Sequence, residues 1–91
     1  MPREYRSRNR IVLDVLRAIH REPEIGTTYL LSLSNLSTER LQGYLAELVT
    51  KGLVVEEVGT RRSYRLTEAG ERFLAELSRL ERFMADFGMT L

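Results

Sequence analysis

The sequence predicts a small α+β fold, mainly α with one β-hairpin: three helices, the hairpin, then a long last helix. Three observations predict it. Asn35 to Leu53 reads as a capped amphipathic helix that follows a shorter helix across a tight turn. After Gly52 the apolar pattern changes from helical spacing to a β-branched, alternating one. From Glu68 onward the apolar residues again recur at helical spacing, now for about twenty residues. With 91 residues there is room for one core and no second one.

In chain order, residues 1–7 form a polar, Arg-rich segment, expected to be a flexible basic arm. Ser7 is placed to cap a first helix from Arg8 to Arg21, because its hydroxyl can accept an unpaired N–H of the first turn. Ile11, Val12, Val15, Leu16 and Ile19 make its buried stripe, and Arg10, Asp14, Arg17 and Arg21 are expected to face out. Pro23 ends it, since proline disfavours helical geometry in the preceding residue. His20 is read as a surface residue at the last turn.

Ile25 is a candidate short strand. Thr27 or Thr28 is expected to cap a second helix carrying Tyr29, Leu30, Leu31 and Leu33, and Ser34-Asn35 turns the chain into the third. There Ser37 is the cap, Leu41, Tyr44, Leu45, Leu48 and Val49 share the inner face, and Gly52 closes the last turn. The outer face carries Thr38, Glu39, Arg40, Gln42, Gly43, Ala46, Glu47 and Thr50. Leu53 to Val58 and Ser63 to Leu66 form the hairpin, with Gly59-Thr60-Arg61-Arg62 as a basic tip. Thr67 caps the last helix, Glu68 to about Phe87. Phe73, Leu77, Leu80, Met84 and Phe87 step by four, three, four and three, the a/d spacing of a coiled coil, with Leu74 and Phe83 widening the stripe. Packing back onto the domain would use the same residues. Dimerisation is favoured because a stripe this long outruns so small a body and would otherwise be exposed.

Composition narrows the function. Without cysteine there are no disulfides, no thiol catalysis and no Cys-ligated zinc. One histidine, no Ser-His-acid set and no Gly-rich phosphate loop leave no catalytic or metal site, so neither an enzyme nor a cofactor is expected. No apolar run approaches the roughly 20 residues of a membrane span. The N-terminus lacks a signal-peptide core, so a cytoplasmic, nucleoid-associated protein is expected. Thirteen of fourteen basic residues are Arg, which suits planar phosphate contacts, although a GC-rich genome would give the same bias. The net charge of +1 conceals clustering. Residues 1–21 carry six Arg against Glu4 and Asp14, and residues 61–65 add Arg61, Arg62 and Arg65 unopposed. Between them six Glu face only Arg40 and Lys51.

Helix, helix, turn, helix, hairpin and long helix is the order of a winged helix-turn-helix. Asn35-Leu36-Ser37, Leu41, Tyr44-Leu45, Leu48, Lys51-Gly52-Leu53-Val54 and Tyr64 through Gly70 resemble the pattern N-L-S, L-x-x-Y-L-x-x-L, K-G-L-[IV], Y-x-L-T-x-x-G of the small archaeal winged-helix DNA-binding regulators of Sulfolobus-type archaea. The resemblance runs from Arg8 to about Leu80 and implies a dimeric DNA-binding protein whose last helix pairs with its partner as an antiparallel coiled coil. This chain departs from the most basic members in having little Lys and in carrying Glu39 and Glu47 on the third helix.

On that reading the chain divides into a basic arm (1–7), a winged helix-turn-helix domain (8–67) and a C-terminal coiled-coil-like dimerisation helix (68–91). The partners are double-stranded DNA and a second copy of the chain, with the third helix in the major groove and the basic wing on phosphates. Ser37 and Thr38 sit at a helix N-terminus, which favours a phosphate. Arg40 and Gln42 are the candidates for base edges, and Gly43 would allow close approach. Arg61 and Arg62 would reach phosphates from the wing, and Arg3, Arg6, Arg8 and Arg10 would extend the footprint. Glu47 is expected to point away from the DNA backbone. Phe73, Leu77, Leu80, Met84 and Phe87 are the candidate dimer interface. Two alternatives stand beside this: an architectural or chromatin DNA-binding protein, which the low net charge disfavours, and a winged-helix protein-interaction module that never touches DNA.

Overall fold

The computed structural model describes residues 6–91. Its elements are α1 (Arg8–Arg21), β1 (Ile25–Gly26), α2 (Thr27–Ser34), α3 (Thr38–Thr50), β2 (Val54–Val58), β3 (Arg62–Leu66) and α4 (Glu68–Ala85). The winged-helix order expected from the sequence is the order observed. The strands form an antiparallel sheet β1-β3-β2. Ile25 pairs with Tyr64, and Val54 pairs with Leu66 at the opposite edge of β3.

The capping residues explain where three of the helices start. Ser7, Ser37 and Thr67 each accept a hydrogen bond from the backbone N–H three residues on, at 3.0, 3.2 and 2.9 Å. The expected cap of α2 is not observed. Thr27 is already inside the helix, and Gly26 is the N-cap with no side-chain bond. Pairing with Ser63 holds Gly26 extended, so the chain turns helical one or two residues earlier than the threonines suggest. Asn35 closes α2 in the left-handed conformation (φ 55°), which sets the turn into α3.

The core is a single cluster. Ile11, Leu13, Val15, Leu16 and Ile19 from α1 pack with Leu30, Leu36, Leu41, Leu45, Leu48, Val54, Tyr64 and Leu74. Burying each large aliphatic side chain contributes about 1.5–3 kcal/mol, so α1 is the element the others close around. Leu13 and Ala18 join the predicted stripe, while Val12 is only half-buried. Val49 is exposed, contrary to its predicted place on the inner face of α3. A straight helix advances about 100° per residue, which carries position 49 past the edge of a face centred on Leu41, Leu45 and Leu48. Arg62 belongs to β3, opposite Val58, so the hairpin tip is Gly59-Thr60-Arg61 alone.

Two clasps fasten the ends of the domain. The Thr67 hydroxyl donates to the Gly52 carbonyl at 2.6 Å, and its backbone N–H donates to the Leu53 carbonyl at 3.1 Å. This ties the end of α3 to the start of α4. Further along α4, Glu81 lies between Arg10 and Arg17 of α1, with Arg17 at 2.7 Å, and Asp14 contacts Arg10 at 3.3 Å. Arg10, Asp14 and Arg17 were expected to face solvent; instead they are half-buried beside α4. Asp86 caps α4, Gly88 (φ 73°) follows, and Phe87 falls in the closing turn rather than the helix.

Candidate nucleic-acid interface

The side of α3 away from the core is small at Gly43 and Ala46 along its middle, with Glu39 at its N-terminal end. Glu39, Gln42, Gly43, Ala46 and Thr50 are all exposed there, and a Cβ built on Gly43 would meet nothing within 4 Å. Arg40 and Gln42 leave the helix about 160° apart at 100° per residue. Gln42 therefore lies toward the Val49 flank. Arg40 lies toward the flank shared with Glu47 and Lys51, where the start of α1 brings Arg8.

That flank is built from both helices. One terminal nitrogen of Arg8 donates to both carboxylate oxygens of Glu47, at 2.8 and 2.9 Å. Lys51, one helical turn on, donates to the same carboxylate at 2.7 Å. The Arg8 guanidinium also lies over the ring of buried Tyr44, 5.5 Å from its centroid, a cation–π arrangement. Hydrogen bonds from Lys51 and then Arg8 lower the Glu47 pKa, and the bond to Glu47 raises that of Arg8. Arg8, Arg40, Gly43, Tyr44 and Glu47 together line an open cleft of about 260 Å³.

Elsewhere the predicted cations are engaged in ways the sequence did not reveal. Arg6 pairs with Asp14 at 3.0 Å and donates to the Asn35 carbonyl at 3.1 Å. Arg10 serves the α1–α4 clasp rather than an open surface. In the wing, Arg62 pairs with Glu56 at 2.8 Å and Arg65 with Glu57 at 3.2 Å. The Glu56 carboxylate also accepts from the Tyr64 hydroxyl at 3.3 Å, and burial, then Glu56, raises the Tyr64 pKa. Arg61 folds back from the tip over Gly26 and donates to the Glu24 carbonyl at 3.2 Å. Arg61 and Arg62 line an open cavity of about 590 Å³ against the start of α2. Arg3 lies outside the described residues.

The α4 stripe divides in two. Leu74 is buried and Leu77 packs against the core, whereas Phe73, Leu80, Phe83 and Phe87 are 43, 46, 62 and 68% exposed. Met84 is half-buried between them. The rings of Phe83 and Phe87 meet edge to face at 5.3 Å. His20 is exposed, as read from the sequence, and lies 3.0 Å from Glu71. No helix among the described residues is long and apolar enough to cross a membrane.

Sequence reasoning missed the partner of Glu47 on α1 and the division of the α4 stripe. The Glu47–Lys51 pair was legible as an i, i+4 spacing. The Arg8–Glu47 pair spans 39 residues and has no local signal.

The winged helix-turn-helix family model matches residues 5–85. Among solved structures, the chain is similar to Sso10a-2, a DNA-binding protein from Sulfolobus solfataricus, with a TM-score of 0.81, 24% identity, and coverage of 90% of this chain and 85% of that one. It is similar to the PcaV transcriptional regulator from Streptomyces coelicolor at 0.71 and 24%, covering 75% of this chain and 53% of that. It is also similar to the transcriptional repressor CouR, solved on a 23-mer DNA duplex, at 0.70 and 21%, covering 75% and 51%. The chain thus spans about half the length of these last two. No curated protein matched the sequence significantly.

Proposed function

The chain belongs to the winged helix-turn-helix family, and from that premise we propose that it is a DNA-binding transcriptional regulator acting as a homodimer. In this reading α3 enters the major groove, its N-terminus at Ser37 and Thr38 meets a phosphate, and the wing lies on the neighbouring backbone. The observation that carries it is the outer face of α3: small at Gly43 and Ala46, polar at Gln42, and bordered by Arg8, Arg40 and Lys51. A groove-reading helix needs this combination of close approach at the centre and cations at the rim. Gln42 then takes the base edges, and Arg40 stands with Arg8 at the rim, toward the phosphates. The DNA duplex on CouR and the DNA-binding role of Sso10a-2 support the same choice of ligand.

The dimer is proposed on the exposed half of the α4 stripe. Phe73, Leu80, Phe83 and Phe87 form an apolar strip that one protomer leaves in water, and a second copy of α4, with Leu77 and Met84 at the margin, would cover it. Two recognition helices would then address a two-fold-related site, and the protein would sit in the cytoplasm on the nucleoid.

Selection of bound duplexes from a random pool, followed by titration of the enriched sequence at two salt concentrations, tests the proposal. An enriched two-fold-related motif with salt-dependent affinity is expected. A salt slope without sequence preference would make the protein architectural instead, and no binding at low salt would leave a protein-interaction module.

A further inference from the structure

A carboxylate on a helix that approaches phosphates should weaken binding, which makes Glu47 the least explained residue on α3. Its surroundings invert that expectation. Glu47 takes hydrogen bonds from Arg8 and Lys51, and Arg8 is also stacked over Tyr44. Only one nitrogen of the Arg8 guanidinium is used. Its Nε and its other terminal nitrogen make no hydrogen bond among the described residues, so two donor nitrogens remain on a group already fixed in place. Arg40 stands across the same cleft, and Gly43 contributes no side chain to fill it.

We infer that Glu47 is a positioning residue for DNA binding: it holds Arg8 against Tyr44 so that Arg8 and Arg40 together seat one backbone phosphate in the cleft beside Gly43. The inference rests on the DNA-binding reading above. Its physical basis is preorganisation. An arginine free in solvent surrenders its rotamer freedom when it grips a phosphate, whereas one already ordered by a carboxylate and a ring does not. The carboxylate costs little in return, since Arg8 and Lys51 both bond to it and offset its charge. An oxygen-rich anion fits the site better than a base edge, because guanidinium donors match phosphate oxygens and carry no sequence preference there.

The test is a double-mutant cycle on the full chain, read by anisotropy of a labelled duplex. Glu47→Gln removes a negative charge from the DNA-facing helix, so electrostatics alone predicts tighter binding. Positioning predicts the reverse: affinity about three- to tenfold weaker, the scale of one rotamer-rich side chain left unordered. Arg8→Ala should weaken binding at least as much and flatten the log–log salt slope by about 1.8, one phosphate contact from each protomer of the dimer. In the double variant, Glu47→Gln should add no further loss, because its effect passes through Arg8. Melting temperatures report folding separately. Binding by Glu47→Gln that equals or exceeds the parent's, or full additivity in the double variant, would overturn the inference while leaving the DNA reading intact. A parent chain that binds no duplex at low salt would overturn the DNA reading itself.

Discussion

Gly43 and Gly70 are both glycines inside helices, and the structure gives them opposite meanings. A Cβ on Gly70 would stand 2.0 Å from the carbonyl oxygen of Leu53. That carbonyl cannot retreat easily, because it already accepts the Thr67 N–H. The Lys51-Gly52-Leu53 and Thr67-to-Gly70 motifs are therefore two halves of one clasp, which explains why those residue types occur together. Gly70→Ala should destabilise the fold by about 1–3 kcal/mol, as overpacking does, even though Ala favours helix by about 1 kcal/mol. A denaturant midpoint equal to or above the parent's would refute the clasp. At Gly43 a Cβ meets open space, so Gly43→Ala should stabilise by about 0.5–1 kcal/mol and yet bind duplex DNA less well. Stability and affinity moving together would mean that the glycine serves no close approach.

At the scale of elements, the clasp between α1 and α4 hangs on one carboxylate. The hydrogen bond from Arg17, then that from Arg10, holds the Glu81 pKa below the ordinary glutamate value. A depressed carboxylate contributes stability above its unfolded pKa, about 4.3, and loses it as pH falls through the lower folded value. Glu81→Gln should therefore be less stable than the parent at neutral pH, with the two curves converging below about pH 4. Parallel curves from pH 7 to pH 3 would show that Glu81 adds nothing there. The wing behaves similarly, with Arg62 shared with Glu56 and Arg61 bonded to the Glu24 carbonyl. Arg61→Ala with Arg62→Ala should weaken binding to every duplex alike, as loss of phosphate contacts does; a loss confined to one sequence would put these side chains on bases instead. Local signals made the elements legible. Ser7, Ser37 and Thr67 fixed helix starts, and the change of period after Gly52 announced the hairpin. Gly26 escaped because pairing with Ser63, remote in sequence, decides the cap of α2. The surroundings of Arg8 and Arg10 escaped for the same reason, since a sequence records charge but not which distant carboxylate answers it.

For the whole molecule, the α4 strip and the charge distribution bear on one measurement. If two copies bind one site, Arg8, Arg40, Lys51, Arg61 and Arg62 from each would, with every cation on a phosphate, give a log–log salt slope of about −9. Glu47 holds Lys51 and Glu56 holds Arg62, so with three of the five left on each protomer a slope of about −5 is expected. The slope should also depend on assembly. Leu80→Asp with Phe83→Asp places two charges on the exposed strip while sparing Leu74 and Leu77, which hold α4 to its own core. A buried charge without a partner costs too much for the seam to survive, so sedimentation should show monomers with an unchanged far-ultraviolet spectrum. Monomers would bind one half-site at a time, with the slope halved again and affinity for a two-fold site reduced by about two orders of magnitude or more, the loss of avidity between linked modules. A parent chain that sediments as a monomer at micromolar concentration would reject α4 as the seam. A double variant that remains dimeric would move the interface elsewhere on the domain.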